Sequence, residues 1–133
     1  MLKCGDTIEM TGSTLSLLHL WIIITDPSQD NGTAVMVTIT TRRTHSDTTV
    51  ILKPSDHPYI KHDSVVMYAD AQILDTKIIE REIHDRNPNV KAHYCCSNVL
   101  MKKIKKGLLD SPNTPNKVLT YCKNSWNLSD TDP

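Results

Sequence analysis

The stretch Leu17–Arg43, LLHLWIIITDPSQDNGTAVMVTITTRR, decides the fold. Leu17 to Thr25 is a near-continuous apolar run, rich in β-branched residues and interrupted by His19. Asp26-Pro27-Ser28-Gln29-Asp30-Asn31-Gly32 is turn chemistry, because proline fixes φ and Asn-Gly accepts positive φ at little steric cost. Thr33–Thr41 resumes as TAVMVTITT and gives way to Arg42 and Arg43. Strands of this length with apolar side chains on both faces belong inside a sheet or in a small closed barrel. In an antiparallel pair the start of one strand lies beside the end of the next. His19 is therefore expected at the same end of the sheet as Thr40, Thr41, Arg42 and Arg43.

Outward from this hairpin, Gly5–Met10 alternates polar and apolar residues and reads as a first strand. The loop Thr11-Gly12-Ser13-Thr14 that joins them is either a plain connection or a lid over the His19 end. Thr48–Leu52 and Ser64–Ala69 read as strands, separated by a long polar loop over Pro54–Asp63 with two prolines. Ala71–Lys77 continues the second of these after a bend at Asp70-Ala71. Ile78–Ile83 fits a helical turn or an edge strand. Ser97 is placed to cap a helix over Asn98–Lys106, with Gly107 near its end. There Leu100, Ile104 and Leu108 recur at i, i+4 and i+8, and Lys102, Lys103, Lys105 and Lys106 form a solvated face or a surface for an acidic partner peptide. Thr114-Pro115 opens a second short helix with Val118, Leu119 and Cys122 inward. The expected architecture is mainly β (α+β): a small barrel over residues 1–122 with one or two C-terminal helices, then a polar tail over 123–133.

The bulk numbers bound the function. A chain of 133 residues fits one domain. Fifteen basic side chains balance fifteen acidic ones, so a polyanion is met by a local patch and not by overall charge. Phe is absent, and the core falls to Ile, Leu, Val and Met with four Tyr and two Trp. The adjacent pair Cys95-Cys96 is poorly placed for a disulfide, and no CxxC spacing suggests zinc. The N-terminal MLKCGDTIEM lacks the long apolar core of a signal peptide, and no run is long enough to span a bilayer. These features fit a reduced, cytoplasmic protein with no membrane partner.

The order of features resembles the MazF/PemK family of toxin-antitoxin endoribonucleases. Gly5-Asp6 stands at the opening strand, Trp21-Ile22-Ile23-Ile24 in the second, and Ile39-Thr40-Thr41 where that family carries Ile-Thr-Ser. Asp63-Ser64-Val65-Val66 then precedes Ala69-Asp70-Ala71-Gln72-Ile73. The resemblance covers roughly residues 5–80 and lies in the co-linearity of four short motifs. It implies an SH3-like barrel and cleavage of RNA without metal or cofactor, by 2′-OH attack on the adjacent phosphate. It further implies a homodimer held in check by a cognate antitoxin. Thr40 matches the family's catalytic threonine. The family's catalytic Arg-Pro pair is replaced by His19-Leu20.

On this reading His19, Thr40 and Arg42 are the candidate catalytic residues. An imidazole serves as acid or base near neutral pH, a hydroxyl positions a phosphate oxygen, and a guanidinium takes phosphate charge in two hydrogen bonds. Thr41, Arg43, His57 and His62 are the candidate substrate contacts, with His57 or His62 reaching over the sheet end as a second acid or base. The segment DHPYIKHD has no helical pair of ligands, so no metal site is expected from it. Two other classes remain open: a barrel without catalysis that binds a protein or nucleic acid, and a structural or regulatory protein with no nucleic-acid role.

Overall fold

The computed structural model describes residues 1–11 and 18–128, as one antiparallel sheet with three helices. The lid reading of the first loop therefore falls, beyond Thr11, outside the described residues. The strands are β1 (Thr7–Met10), β2 (His19–Ile23), β3 (Thr33–Thr41), β4 (Ile51–Leu52), β5 (Ser64–Val66), β6 (Gln72–Asp75) and β7 (Lys91–His93). The helices are α1 (Thr76–His84), α2 (Asn98–Asp110) and α3 (Asn116–Ser125). No helix among the described residues is long and apolar enough to cross a membrane.

The hairpin of β2 and β3 is the middle of the sheet, as its composition demands. At its turn Asn31 (φ 52°) and Gly32 (φ 93°) take the positive φ that Asn-Gly tolerates, and Asp26 accepts from the Ser28 amide. β2 occupies one edge of β3, and β5 and then β6 occupy the other. Between β5 and β6 a 3₁₀ turn at Tyr68–Asp70 forms the expected bend. The strand ends at Asp75, two residues earlier than expected, because the Asp75 carboxylate caps α1 by accepting from the Lys77 amide. The ambiguous Ile78–Ile83 segment is thus helical, and Ile79 is buried against the sheet.

The strand order β4-β5-β3-β2-β1-β7 is an open path, so the sheet is not the closed barrel expected from the sequence. β4 and β7 contribute two and three residues, too few paired groups to stagger and zip two edges together. The β4 edge is covered instead by α2, whose Lys103 ammonium donates to the Ile51 carbonyl. The rest of the expected Thr48–Leu52 strand, Thr48 to Val50, is irregular and bent.

Strand alternation sends Leu20, Ile22, Val35, Val37 and Ile39 to one face, where α2 and α3 bury Leu100, Ile104, Leu108, Val118 and Cys122 against them. Trp21, Ile23, Ala34 and Met36 point to the other face, under Ile79 of α1. Two helices on one side and one on the other explain why the middle of both hairpin strands is buried on both faces.

Gly107 does not end α2. The helix runs on to Asp110 because Gly107 faces the sheet, where a Cβ atom would lie 2.8 Å from Tyr68 Cζ and closer still to the Tyr68 hydroxyl and Val50. The Tyr68 hydroxyl donates to the Ile104 carbonyl at 2.7 Å, which fixes this close approach. Thr114 likewise caps no helix. Its hydroxyl donates to the Leu108 carbonyl, and Pro115 stands at the start of α3. That helix extends through Lys123 to Ser125, past the expected boundary at 122, and Trp126 packs on the main core. The four cysteines are free thiols, and burial pushes those of Cys96 and Cys122 up to about 12.

Candidate catalytic cleft

His19 opens β2, and Thr40 and Thr41 close β3. Trp21 pairs with Thr38, so extending the register by two residues sets His19 opposite Thr40. This end of the sheet borders a cleft of about 660 Å³, a size suited to a small ligand or one nucleotide of a longer chain. Leu20 and Ile39 supply its apolar wall. The segment His57–His62, Ser64 of β5, and His93-Tyr94 at the end of β7 complete it. Four of the six histidines in the chain, His19, His57, His62 and His93, line this one cleft.

The histidines are not equivalent. His19 is half-buried, with Nδ1 3.4 Å from the Ile39 carbonyl oxygen, a long contact that orients the ring. His57 is 4% exposed and both its nitrogens are engaged: Nε2–H donates to the Tyr94 carbonyl, and Nδ1 accepts from the Tyr59 amide at 3.1 Å. It ties the loop after β4 to the end of β7 and has no nitrogen left for proton transfer, which argues against the acid or base role read from the sequence. His62 is exposed at the rim. Thr40 and Thr41 are half-buried and border the cleft.

Arg42 and Arg43 are not brought into the cleft. β3 ends at Thr41, the Arg42 amide donates to the Asp63 carbonyl, and the Arg43 amide donates to the Ser46 hydroxyl in the following turn. Both arginines are exposed just beyond the lining residues. Asp56 and Asp63 turn to Lys53, the first accepting from its amide and the second from its ammonium at 2.6 Å. Among the described residues no group of three His, Cys, Asp or Glu is arranged to hold a metal ion.

Tyr59, His93 and Tyr94 also line the cleft, with Glu9 bonded to the first two, although none of the four stands out in the sequence. β1 pairs with β7 in the register Thr7 to His93, which carries a histidine from late in the chain to the first strand. Glu9 Oε1 lies 3.3 Å from His93 Nε2, and Glu9 Oε2 accepts from the Tyr59 hydroxyl at 2.9 Å. The Tyr59 and His93 rings meet edge to face, centroids 5.2 Å apart. The Tyr59 hydroxyl holds the Glu9 carboxyl below its ordinary value of 4.5, opposed next by burial and helped further by His93 and Lys91. Burial, and secondarily Glu9, pushes the Tyr59 hydroxyl up to about 12. Tyr94 is 74% exposed, an aromatic face open to solvent beside these groups. Alternation marked Glu9 as the polar face of a strand. Nothing in Lys91-Ala92-His93 marks a strand, since its three residues carry no apolar period.

The cleft thus combines imidazoles, hydroxyls and Lys61 over an apolar wall, and the Glu9 carboxylate stands behind two of its lining residues, Tyr59 and His93. Such a set moves protons near neutral pH and attracts an anion without needing overall positive charge.

No family model matches the chain, and no curated protein matches it. Among solved structures, an endoribonuclease in complex with its cognate antitoxin, from Mycobacterial species, shares the fold with a TM-score of 0.56 at 17% identity. The match covers 86% of this chain and 98% of that one. It extends well beyond residues 5–80, to which the sequence resemblance was confined.

Proposed function

We propose that this chain is the endoribonuclease toxin of a toxin-antitoxin pair, a MazF/PemK-like protein acting in the cytoplasm. The observation that carries the reading is the gathering of four histidines and two strand-end threonines on one cleft, in a chain folded like a solved endoribonuclease. In the reaction the ribose 2′-oxygen forms a bond to the adjacent phosphorus, the bond from phosphorus to O5′ breaks, and a 2′,3′-cyclic phosphate and a 5′-hydroxyl result. His19 takes the 2′-OH proton through Nε2, since Nδ1 faces the Ile39 carbonyl. Thr40 and Thr41 donate hydrogen bonds to the phosphate oxygens, where charge grows in the transition state. Lys61 and His62 hold the RNA at the rim, and Arg42 and Arg43 engage phosphates outside the cleft. None of these steps calls on a metal. The SH3-like relationship, the homodimer and the antitoxin belong to the same proposal.

A second reading is favoured by one specific observation: no guanidinium lines the cleft, and His19-Leu20 stands where the family carries its Arg-Pro pair. On that reading the same surface binds RNA or a protein without cutting. Purified protein incubated with a mixed-sequence RNA pool decides between them. Fragments ending in 2′,3′-cyclic phosphate support the nuclease, whereas salt-dependent retention of uncut RNA supports the binding module.

A further inference from the structure

We propose that His93, oriented by Glu9, is the residue that protonates the leaving 5′-oxygen, an inference that rests on the ribonuclease reading. Three cleft imidazoles have a nitrogen to spare; His62 stands exposed at the rim, and the other two have different anchors. His19 faces a neutral carbonyl, whereas His93 faces a carboxylate 3.3 Å away. A carboxylate fixes the ring so that Nε2–H points to Glu9 and Nδ1 is the free nitrogen, and it offers a charge partner to the imidazolium form. A carbonyl offers no such charge. The proton is therefore assigned to His93 and the base to His19. Glu9 is itself set by a second hydrogen bond, from the Tyr59 hydroxyl, while the Tyr59 ring abuts His93 edge to face, so the pair is held from two sides.

The arrangement is reachable from solvent, with the His93 and Glu9 side chains 27% and 25% exposed. The charged group nearest the pair along β7 is Lys91, which pairs with Glu9 across the sheet. As P–O5′ breaks, the Nδ1 proton of the His93 imidazolium passes to O5′. The proton taken from the 2′-OH by His19 balances it, and each ring returns to its starting form by exchange with water.

The test uses the full-length protein and two RNAs of the same sequence, one natural and one with sulfur replacing the bridging 5′-oxygen at the cleavage site. A thiolate leaves without being protonated, so the acid becomes dispensable on the second RNA while the base does not. The variants are His93→Asn and Glu9→Gln, with unchanged circular dichroism as the check that each folds, and Glu9→Asp as the conservative control. His93→Asn is expected to slow cleavage of the natural RNA by roughly 100-fold or more and of the sulfur-substituted RNA by less than about 10-fold. Glu9→Gln is expected to follow the same pattern with a loss on the order of 10–100-fold on the natural RNA, partly restored by Glu9→Asp. Equal losses on both RNAs, or none on either, overturn the assignment and leave the ribonuclease reading standing. Wild-type protein that cuts neither RNA overturns the ribonuclease reading and the assignment with it. If His93→Asn does not fold, the folded Glu9→Gln variant decides by the same comparison.

Discussion

The Glu9 carboxylate and the His93 imidazole, 84 residues apart in the chain, meet at 3.3 Å because β7 pairs with β1. The Tyr59 hydroxyl, and to a lesser degree this contact, makes Glu9 a more favourable anion in the folded chain than in the unfolded one. The sign follows from linkage. A carboxyl with a depressed folded-state pKa contributes stability that is complete above its unfolded value of 4.5 and is lost as pH falls through the folded value. Glu9→Gln should therefore be less stable than wild type at pH 7, by about 1 kcal/mol for a partly exposed hydrogen-bonded carboxylate. The gap should close as pH falls below 4.5. Urea midpoints for the two proteins between pH 3 and pH 7 (roughly the range of carboxyl titration) check this; a gap independent of pH contradicts it.

Gly107 gives a prediction of unusual sign. In an exposed helix interior, Gly to Ala stabilises by about 1 kcal/mol. Here the added methyl meets the Tyr68 hydroxyl and Val50 in a packed interface, and Tyr68 is tied to the Ile104 carbonyl. Gly107→Ala should destabilise by about 2 kcal/mol, seen as a lower urea midpoint with an unchanged slope. A more stable variant would show that α2 shifts freely on the sheet.

Arg42 separates phosphate binding from chemistry. On the proposed ribonuclease reading, its place beyond the cleft lining gives it a flanking phosphate, in contrast to the catalytic role expected from the sequence. Arg42→Ala should raise KM several-fold and flatten the salt dependence by about one phosphate contact, with kcat nearly unchanged. A collapse of kcat at unchanged KM would return Arg42 to the reacting phosphate.

The hairpin was legible because its signals are local. Thr33–Thr41 forms β3 in full, and Asn31-Gly32 adopts the positive φ that its residues favour. The Ser97 cap of α2 was equally plain, since its hydroxyl accepts from the Leu100 amide three residues on. The start of the cleft followed from antiparallel geometry, which sets His19 against the end of β3. What could not be read were features made by distant residues. Gly107 looks like a helix end until Tyr68 is placed beneath it. Arg42 reads as part of the strand-end group, whereas in the fold its amide bonds the Asp63 carbonyl and its exposed side chain lies outside the cleft lining. His93 has no pattern of its own and matters because β1 lies beside it. Barrel closure depends on how two short edge strands pair, and a two-residue strand carries almost no sequence signal.

The cleavage assay of wild-type protein against His19→Ala bears most directly on the central claim that the histidine-lined cleft cuts RNA. Both proteins are incubated without added metal with an end-labelled RNA pool, and the new ends are identified chemically. The wild type is expected to give fragments with 2′,3′-cyclic phosphate and 5′-hydroxyl ends, and a folded His19→Ala to cleave at least about 100-fold more slowly. Undiminished cleavage by that variant, or intact RNA with the wild type, would contradict the claim.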